Sequence, residues 1–180
     1  MQVSTFLAFF LDKSHRVTYK CQKVSQSVRK CQKLPMFRGR SRHIMDAKGR
    51  LAIPARFKEE LDQGGNDCLV VTNHDVCLWA FAKADWRVIE EKASNLPQFS
   101  RPAHTYLRYF ISGAVECPIK QGRITIPQDL REIAELKKEV VLVGELKRFE
   151  IWEKDRWEEE FRRVRENFPE DSESLSELGI

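Results

Sequence analysis

Lys48-Gly49-Arg50-Leu51-Ala52-Ile53-Pro54 returns as Gln121-Gly122-Arg123-Ile124-Thr125-Ile126-Pro127, at a constant offset of 73 residues. A heptapeptide pattern repeated at that distance marks a tandem duplication. Each copy runs Gly-Arg, then a short apolar stretch, then Pro. Gly tolerates the positive φ of a tight turn. Pro suits the first helical position, where no N–H donor is needed. Helical patterns follow at residues 55–61 and 128–136. Each copy then carries an apolar strand (68–72 and 140–143), a turn (73–75 and 144–146) and a second strand (76–81 and 148–152). A Trp-led helix closes each copy, Trp86 to Ala93 and Trp157 to Asn167. Trp157, Phe161, Val164 and Phe168 recur on one helical face. The leading Trp residues lie 71 apart, so the first copy holds two extra residues, expected within Gln63-Gly64-Gly65-Asn66.

Residues 97–113 read as a linker helix between the copies. Pro102 can open it, Tyr106, Leu107 and Phe110 share a face, and Gly113 can end it. The domains expected are therefore 36–96 and 114–168, with an acidic tail at 169–180. Each half is near the lower size limit for independent stability. Two such halves are expected to complete one another's sheets around one core. The fold class is α+β: two tandem units with small β-barrel-like sheets and short helices.

The 180 residues are 42% hydrophobic and 32% charged, which excludes disordered and fibrous classes. No apolar stretch approaches the roughly 20 residues of a membrane-spanning helix. The run Phe6 to Leu11 stops at Asp12 and lacks the flanks of a secretory signal. The five cysteines form no C-x-x-C pair, which argues against a disulfide framework and for a reducing compartment. No phosphate-binding Gly loop, Gly-x-Ser-x-Gly or His-Glu-x-x-His motif occurs, so no enzyme activity, metal or cofactor is expected. Cys68, His74 and Cys77 come nearest to a metal cluster. Both cysteines fall in apolar strands, where Cys packs as a small hydrophobe. His43 and His104 stand apart from any acid or nucleophile at a telling spacing.

Charge is unevenly placed. The chain holds 31 Lys and Arg against 27 Asp and Glu, a net +4. Residues 1–35 contain seven basic residues and one acid, interrupted by Ser, Thr and Gln. That segment reads as a basic nucleic-acid arm, a transit peptide or an extension upstream of the true start. The last is favoured, because Met36 opens the patterned sequence; residues 1–35 are expected to be a non-native or disordered basic extension. Residues 36–58 again hold seven basic residues and one acid, whereas residues 153–180 hold five basic and ten acidic.

Arg38, Arg40 and Arg42 alternate, which on a strand places them on one face. Such a row suits phosphates, since Arg meets phosphate oxygens with two donors. The rival reading is a basic face that pairs with acids of a neighbour's C-terminal helix, among them Glu158, Glu159 and Glu160. Arg50 and Arg123 each follow a turn Gly, Gly49 or Gly122. An Arg held there can offer two donors to guanine O6 and N7. Asp46, four residues before Arg50, can brace it. Lys48 and Lys120 add charge beside the two turns.

Met36-Phe37-Arg38-Gly39, followed by Asp46-Ala47-Lys48-Gly49-Arg50-Leu51-Ala52-Ile53-Pro54, resembles the opening of the MraZ family. The second copy resembles that family's second motif, and the similarity runs from Met36 to about Phe168. The resemblance implies two AbrB-like domains in one chain, packed as an intrachain pseudo-dimer, and a ring-shaped homo-oligomer. It also implies a cytoplasmic, nucleoid-associated repressor that binds short direct repeats in the promoter of the division and cell-wall gene cluster. Double-stranded DNA is then the partner, through Arg38, Arg40, Arg42, Lys48, Arg50, Lys120 and Arg123, with Asp46, Gly49 and Gly122 in support. The family carries Asp-x-x-x-Arg in each half. Asp46 and Arg50 match it, but Ile119 stands where the second acid is expected before Arg123. A protein-interaction or antitoxin-like module, its basic face meeting an acidic protein, is the alternative in a different class.

Overall fold

The computed structural model describes residues 36–97 and 99–176. The readings made for residues 1–35, including the basic extension, and those for Cys21 and Cys31, lie outside the described residues.

The first half comprises β1 (Phe37–Ile44), β2 (Arg50–Ala52), α1 (Ala55–Gln63), β3 (Cys68–His74), β4 (Cys77–Ala82) and α2 (Lys83–Ser94). A connecting helix, α3 (Arg101–Tyr106), runs on into a π-helical turn (Leu107–Ile111). The second half repeats the order with β5 (Val115–Pro118), β6 (Arg123–Thr125), α4 (Gln128–Ile133), β7 (Glu139–Leu146), β8 (Arg148–Glu153) and α5 (Lys154–Ser176). α5 continues through Pro169 into the segment read as an acidic tail.

Six strands form one antiparallel sheet in the order β1-β7-β8-β4-β3-β5. β1 of the first half pairs with β7 of the second, and β5 of the second pairs with β3 of the first. Each half thus lends its first strand to the other. β2 and β6 form a separate ribbon, Arg50 opposite Thr125, Leu51 opposite Ile124, Ala52 opposite Arg123. Leu51 and Ile124 are repeat counterparts, so a local two-fold relation passes between them.

One sheet face packs on this ribbon and on α1 and α4. Its buried side chains include Leu69, Val71, Leu78, Leu142 and Ile151 from the sheet, and Leu51, Ile53, Ile124 and Ile126 from the ribbon and its ends. The barrel-like cores expected of the two units are this single shared core. Phe37, Phe57 and Phe149 meet there with ring centroids 5.1–5.3 Å apart, one ring each from β1, α1 and β8. Replacing any of them by Ala costs about 3–5 kcal/mol.

The helices cover the opposite face. Val70, Phe81, Trp86 and Phe110 pack beneath α2 and the connecting helix, and Val141, Val143 and Trp152 beneath α5. Between these clusters the Glu150 carboxylate accepts from the indole N–H of Trp79 (2.9 Å) and of Trp152 (2.7 Å). Ser100 caps the connecting helix, and Pro102 lies in its first turn. Its widening to π geometry leaves carbonyls that buried polar side chains of β3 take up. Thr72 Oγ1 donates to Phe110 O (2.5 Å) and Asn73 Nδ2 to Tyr109 O (2.9 Å).

The extra residues of the first copy lie at the end of α1, overlapping the stretch expected for them. α1 has nine residues and α4 six. Both helices end in the same reversal, with Asn66 N bonded to Leu61 O and Leu136 N to Arg131 O. The position of positive φ in that reversal is Gly65 in one and Glu135 in the other. The difference is thus most of a helical turn in α1, offset by one residue more before β7.

Candidate nucleic-acid interface

The chain from Asp46 to Arg50 closes as a tight loop. Gly49 N donates to Asp46 O (2.9 Å), and Asp46 N to Arg50 O (3.1 Å). The Asp46 carboxylate then takes three further bonds. Oδ1 accepts from the backbone N–H of Lys48 and of Arg50, both at 2.9 Å. Oδ2 accepts from Arg50 Nε at 2.5 Å. The backbone N–H of Arg50 and then its side chain hold the Asp46 carboxyl below the usual carboxylate range. The brace anticipated between Asp46 and Arg50 is therefore present, and both side chains face solvent.

The second turn is built differently. Lys120 N donates to Arg123 O (2.9 Å) and Arg123 N to Lys120 O (3.0 Å), leaving Gln121 and Gly122 as the loop. Both take positive φ, 52° and 71°. Two consecutive residues of that kind make the tight hairpin turn that matches strand twist. Closure here is one residue shorter than in the first copy, and Lys120 occupies the closing place that Asp46 holds there. Ile119 packs against the core instead.

The ribbon locks the two turns to each other. Ile126 N donates to Gly49 O and Ile53 N to Gly122 O, both at 2.9 Å. Arg50, Lys120, Gln121, Arg123 and Thr125 consequently line one shallow cleft of about 420 Å³. Glu116, the acid in its wall, is paired with Lys83 at 2.6 Å. Lys48, Lys120 and Arg123 have no ion-pair partner among the described residues. Two further cations stand at the turns: Arg131 of α4, not singled out in the sequence, crowds Gly49, and Lys58 of α1, counted only within the basic 36–58 stretch and paired with Asp62, lies over Gly122. Each comes from the half opposite its turn. Their places in the repeat, 73 residues apart, were the available signal.

The row on β1 divides. Arg38, Arg40 and Arg42 share the face turned to the helices, as alternation requires. Arg40 sets its guanidinium 4.2 Å from the Phe161 ring of α5. Arg42 pairs with Glu158 of α5 at 3.0 Å. The chain's own C-terminal helix thus engages these two, while both stay exposed, Arg42 with 70% of its side chain accessible. The acidic helix of the rival reading belongs to the same chain rather than to a neighbour. Arg38 stays exposed, with no ion pair among the described residues.

Among the described residues, His74 and the three cysteines serve packing. His74 stacks on Trp79 with centroids 3.5 Å apart, and burial, then the Arg148 charge, lowers its pKa. Cys68, Cys77 and Cys117 are free thiols and buried. Cys77 Sγ donates to His74 O. Among the described residues no three His, Cys, Asp or Glu side chains gather to hold a metal ion. No described helix is long and apolar enough to cross a membrane.

A family model described as "MraZ protein, putative antitoxin-like" matches the chain twice, over residues 36–109 and 110–177. The boundary between the matches falls inside the π-helical turn. The protein called Transcriptional regulator MraZ of Pediococcus pentosaceus is 43% identical over 146 residues, which cover 81% of this chain and 100% of that protein. Those of the same name from Ligilactobacillus salivarius and Halothermothrix orenii are each 42% identical over the same shares. With two tandem matches, a shared core built from the repeat and 42–43% identity to these relatives, the chain belongs to the MraZ family.

Proposed function

We propose that this chain is a DNA-binding transcriptional regulator, a repressor that covers promoter DNA through the edge formed by its two Gly-Arg turns. The observation carrying this reading is the cleft in which Arg50, Lys120 and Arg123 meet, with its one carboxylate already paired. A ribbon edge rich in cations suits DNA, where phosphate contacts position a protein and base contacts specify the site. The name of the relatives, Transcriptional regulator MraZ, supports the same reading.

The resemblance to the family further directs the proposal to short direct repeats upstream of the division and cell-wall genes, at the nucleoid. It also directs it to a ring of subunits. Several modest cation sets presented together gain strongly in avidity. Val164 and Phe168, which α5 leaves exposed, are surfaces such an assembly would cover. The contacts proposed on DNA are Arg50, Lys48, Lys120 and Arg123 at the turns, with Arg38, Arg40 and Arg42 along β1.

Gel-shift titration with the duplex upstream of the chain's own gene, against a scrambled duplex, tests the proposal. Binding is expected to prefer the upstream duplex and to weaken steeply with salt, each neutralised phosphate adding about −0.9 to the log–log slope. Arg50→Ala is expected to abolish the shift at moderate salt while the assembly persists on size exclusion. Equal binding of both duplexes, or an unaltered shift by Arg50→Ala, would overturn it.

A further inference from the structure

The two turns are counterparts in the repeat and neighbours in the cleft, yet their electrostatics are opposed. In the first, the closing residue is an acid whose Oδ2 holds Arg50 Nε at 2.5 Å. That contact fixes the plane of the guanidinium while leaving its two terminal nitrogens for a ligand. A side chain oriented before binding loses less freedom on contact and discriminates by geometry. In the second, the closing residue is Lys120, bonded to Arg123 through both backbone groups. Directly opposed side chains on such a pair are close neighbours, and like charges there repel. Lys120 has no acceptor to hold Arg123, and Ile119, in the core, has none either. An anion lying across the two cations relieves the repulsion without needing either side chain in one orientation.

We infer that the turns divide the work on DNA: braced Arg50 reads base edges, whereas the Lys120–Arg123 pair grips phosphate and carries no sequence information. This rests on the DNA-binding reading above. Arg50 has the fixed fork that two-donor recognition of guanine requires. Lys120 and Arg123 offer charge on a two-residue hairpin tip, which serves affinity and register. The unequal pair also gives an otherwise two-fold unit a direction, so that one subunit meets DNA with a reading end and a gripping end.

Fluorescence anisotropy on the full chain, with the upstream duplex and a scrambled duplex of equal length, separates the parts. Wild type must first prefer the upstream duplex; no preference there sinks the DNA reading itself, before the division is tested. Arg50→Lys keeps the charge but not the fork. It is expected to reduce the preference by about tenfold or more, the scale of one two-donor base contact, and to leave scrambled binding within about twofold. Arg123→Gln and Lys120→Gln are expected to weaken both duplexes by the same factor and to lower the salt slope by about one unit each. Thermal melts matching wild type establish that these exposed substitutions leave the fold intact. The division is overturned if Arg123→Gln erodes the preference as Arg50→Lys does, or if Arg50→Lys weakens both duplexes equally.

Discussion

Gly49 and Gly122, replaced by alanine one at a time, place the same perturbation on two repeat counterparts with different surroundings. Both have left-handed backbone, φ 77° and 71°. An L-residue there costs about 1–2 kcal/mol from its Cβ alone. At Gly122 the new Cβ would have Lys58 Cδ as its nearest neighbour at 3.7 Å, an ordinary contact with a flexible side chain. The cost of Gly122→Ala therefore stays at about 1–2 kcal/mol. At Gly49 the Cβ would fall 2.6 Å from the Ile126 carbonyl oxygen and 2.9 Å from Arg131 Nε. Arg131 can swing aside, but the carbonyl is backbone at the end of β6. Relief means drawing the turn away from β6, and the bond from Ile126 N to Gly49 O is lost with it. A backbone bond so removed contributes about 1 kcal/mol net, so Gly49→Ala is expected near 2–3 kcal/mol. Urea unfolding followed by the fluorescence of the four Trp residues reads both values, from midpoints at constant slope. The same shift also carries Arg50 out of place, so promoter binding should fall further in Gly49→Ala than in Gly122→Ala. Equal destabilisation of the two variants, or a milder effect at Gly49, would refute the close-approach argument and leave φ alone as the determinant.

Two further outcomes follow from the buried polar groups. Glu150→Gln replaces a carboxylate that accepts from both Trp79 and Trp152 by an amide with one acceptor oxygen, leaving one indole N–H opposed to an NH₂. A loss of about 1–3 kcal/mol in urea unfolding is expected, and a neutral result would mean that the two bonds do not matter to stability. His43 and His74 both have pKa values lowered from 6.5 by burial, then by the Arg56 and Arg148 charges respectively. A depressed folded value means stability that is intact above about 6.5 and is lost as pH falls through the folded value. The urea midpoint should therefore decline as pH falls below about 6.5, and His43→Gln combined with His74→Gln should flatten that decline. A midpoint insensitive to the double substitution would remove the histidines as its cause.

Features whose causes lie within a few residues were legible in the chain. The Gly-Arg turns, the helices opened by Pro54 and Pro127, and the Asp46–Arg50 brace each depend on contacts four or fewer residues long. Their recurrence at one offset then exposed the duplication and the need for a shared core. Other features depend on where distant segments come to rest. Arg38, Arg40 and Arg42 read either as phosphate contacts or as partners of a neighbour's C-terminal acids, because nothing in β1 tells that the chain's own α5 will lie across it. The ion pair that changes this reading joins residues 116 apart. Hairpin closure in the second copy was equally hidden: whether Ile119 or Lys120 faces Arg123 depends on the register of β5 against β3. The extra residues near Gln63 were legible from the offsets, but not that they lengthen α1, because Gly64 and Gly65 look like loop while the helix extends as far as Gln63.

The sequence by itself determined that this is a doubled MraZ unit with two Gly-Arg turns, one braced and one lacking its acid. A repeat is a covalent fact, and turn chemistry is short-ranged. Only the tertiary structure decided that β1 and β5 cross between halves, that α5 claims Arg40 and Arg42, and that both turns open on one cleft. Those outcomes rest on burying the apolar faces of two small halves that have too little core apart. Which surface charges lie against α5 follows from that packing, after the turns themselves are specified.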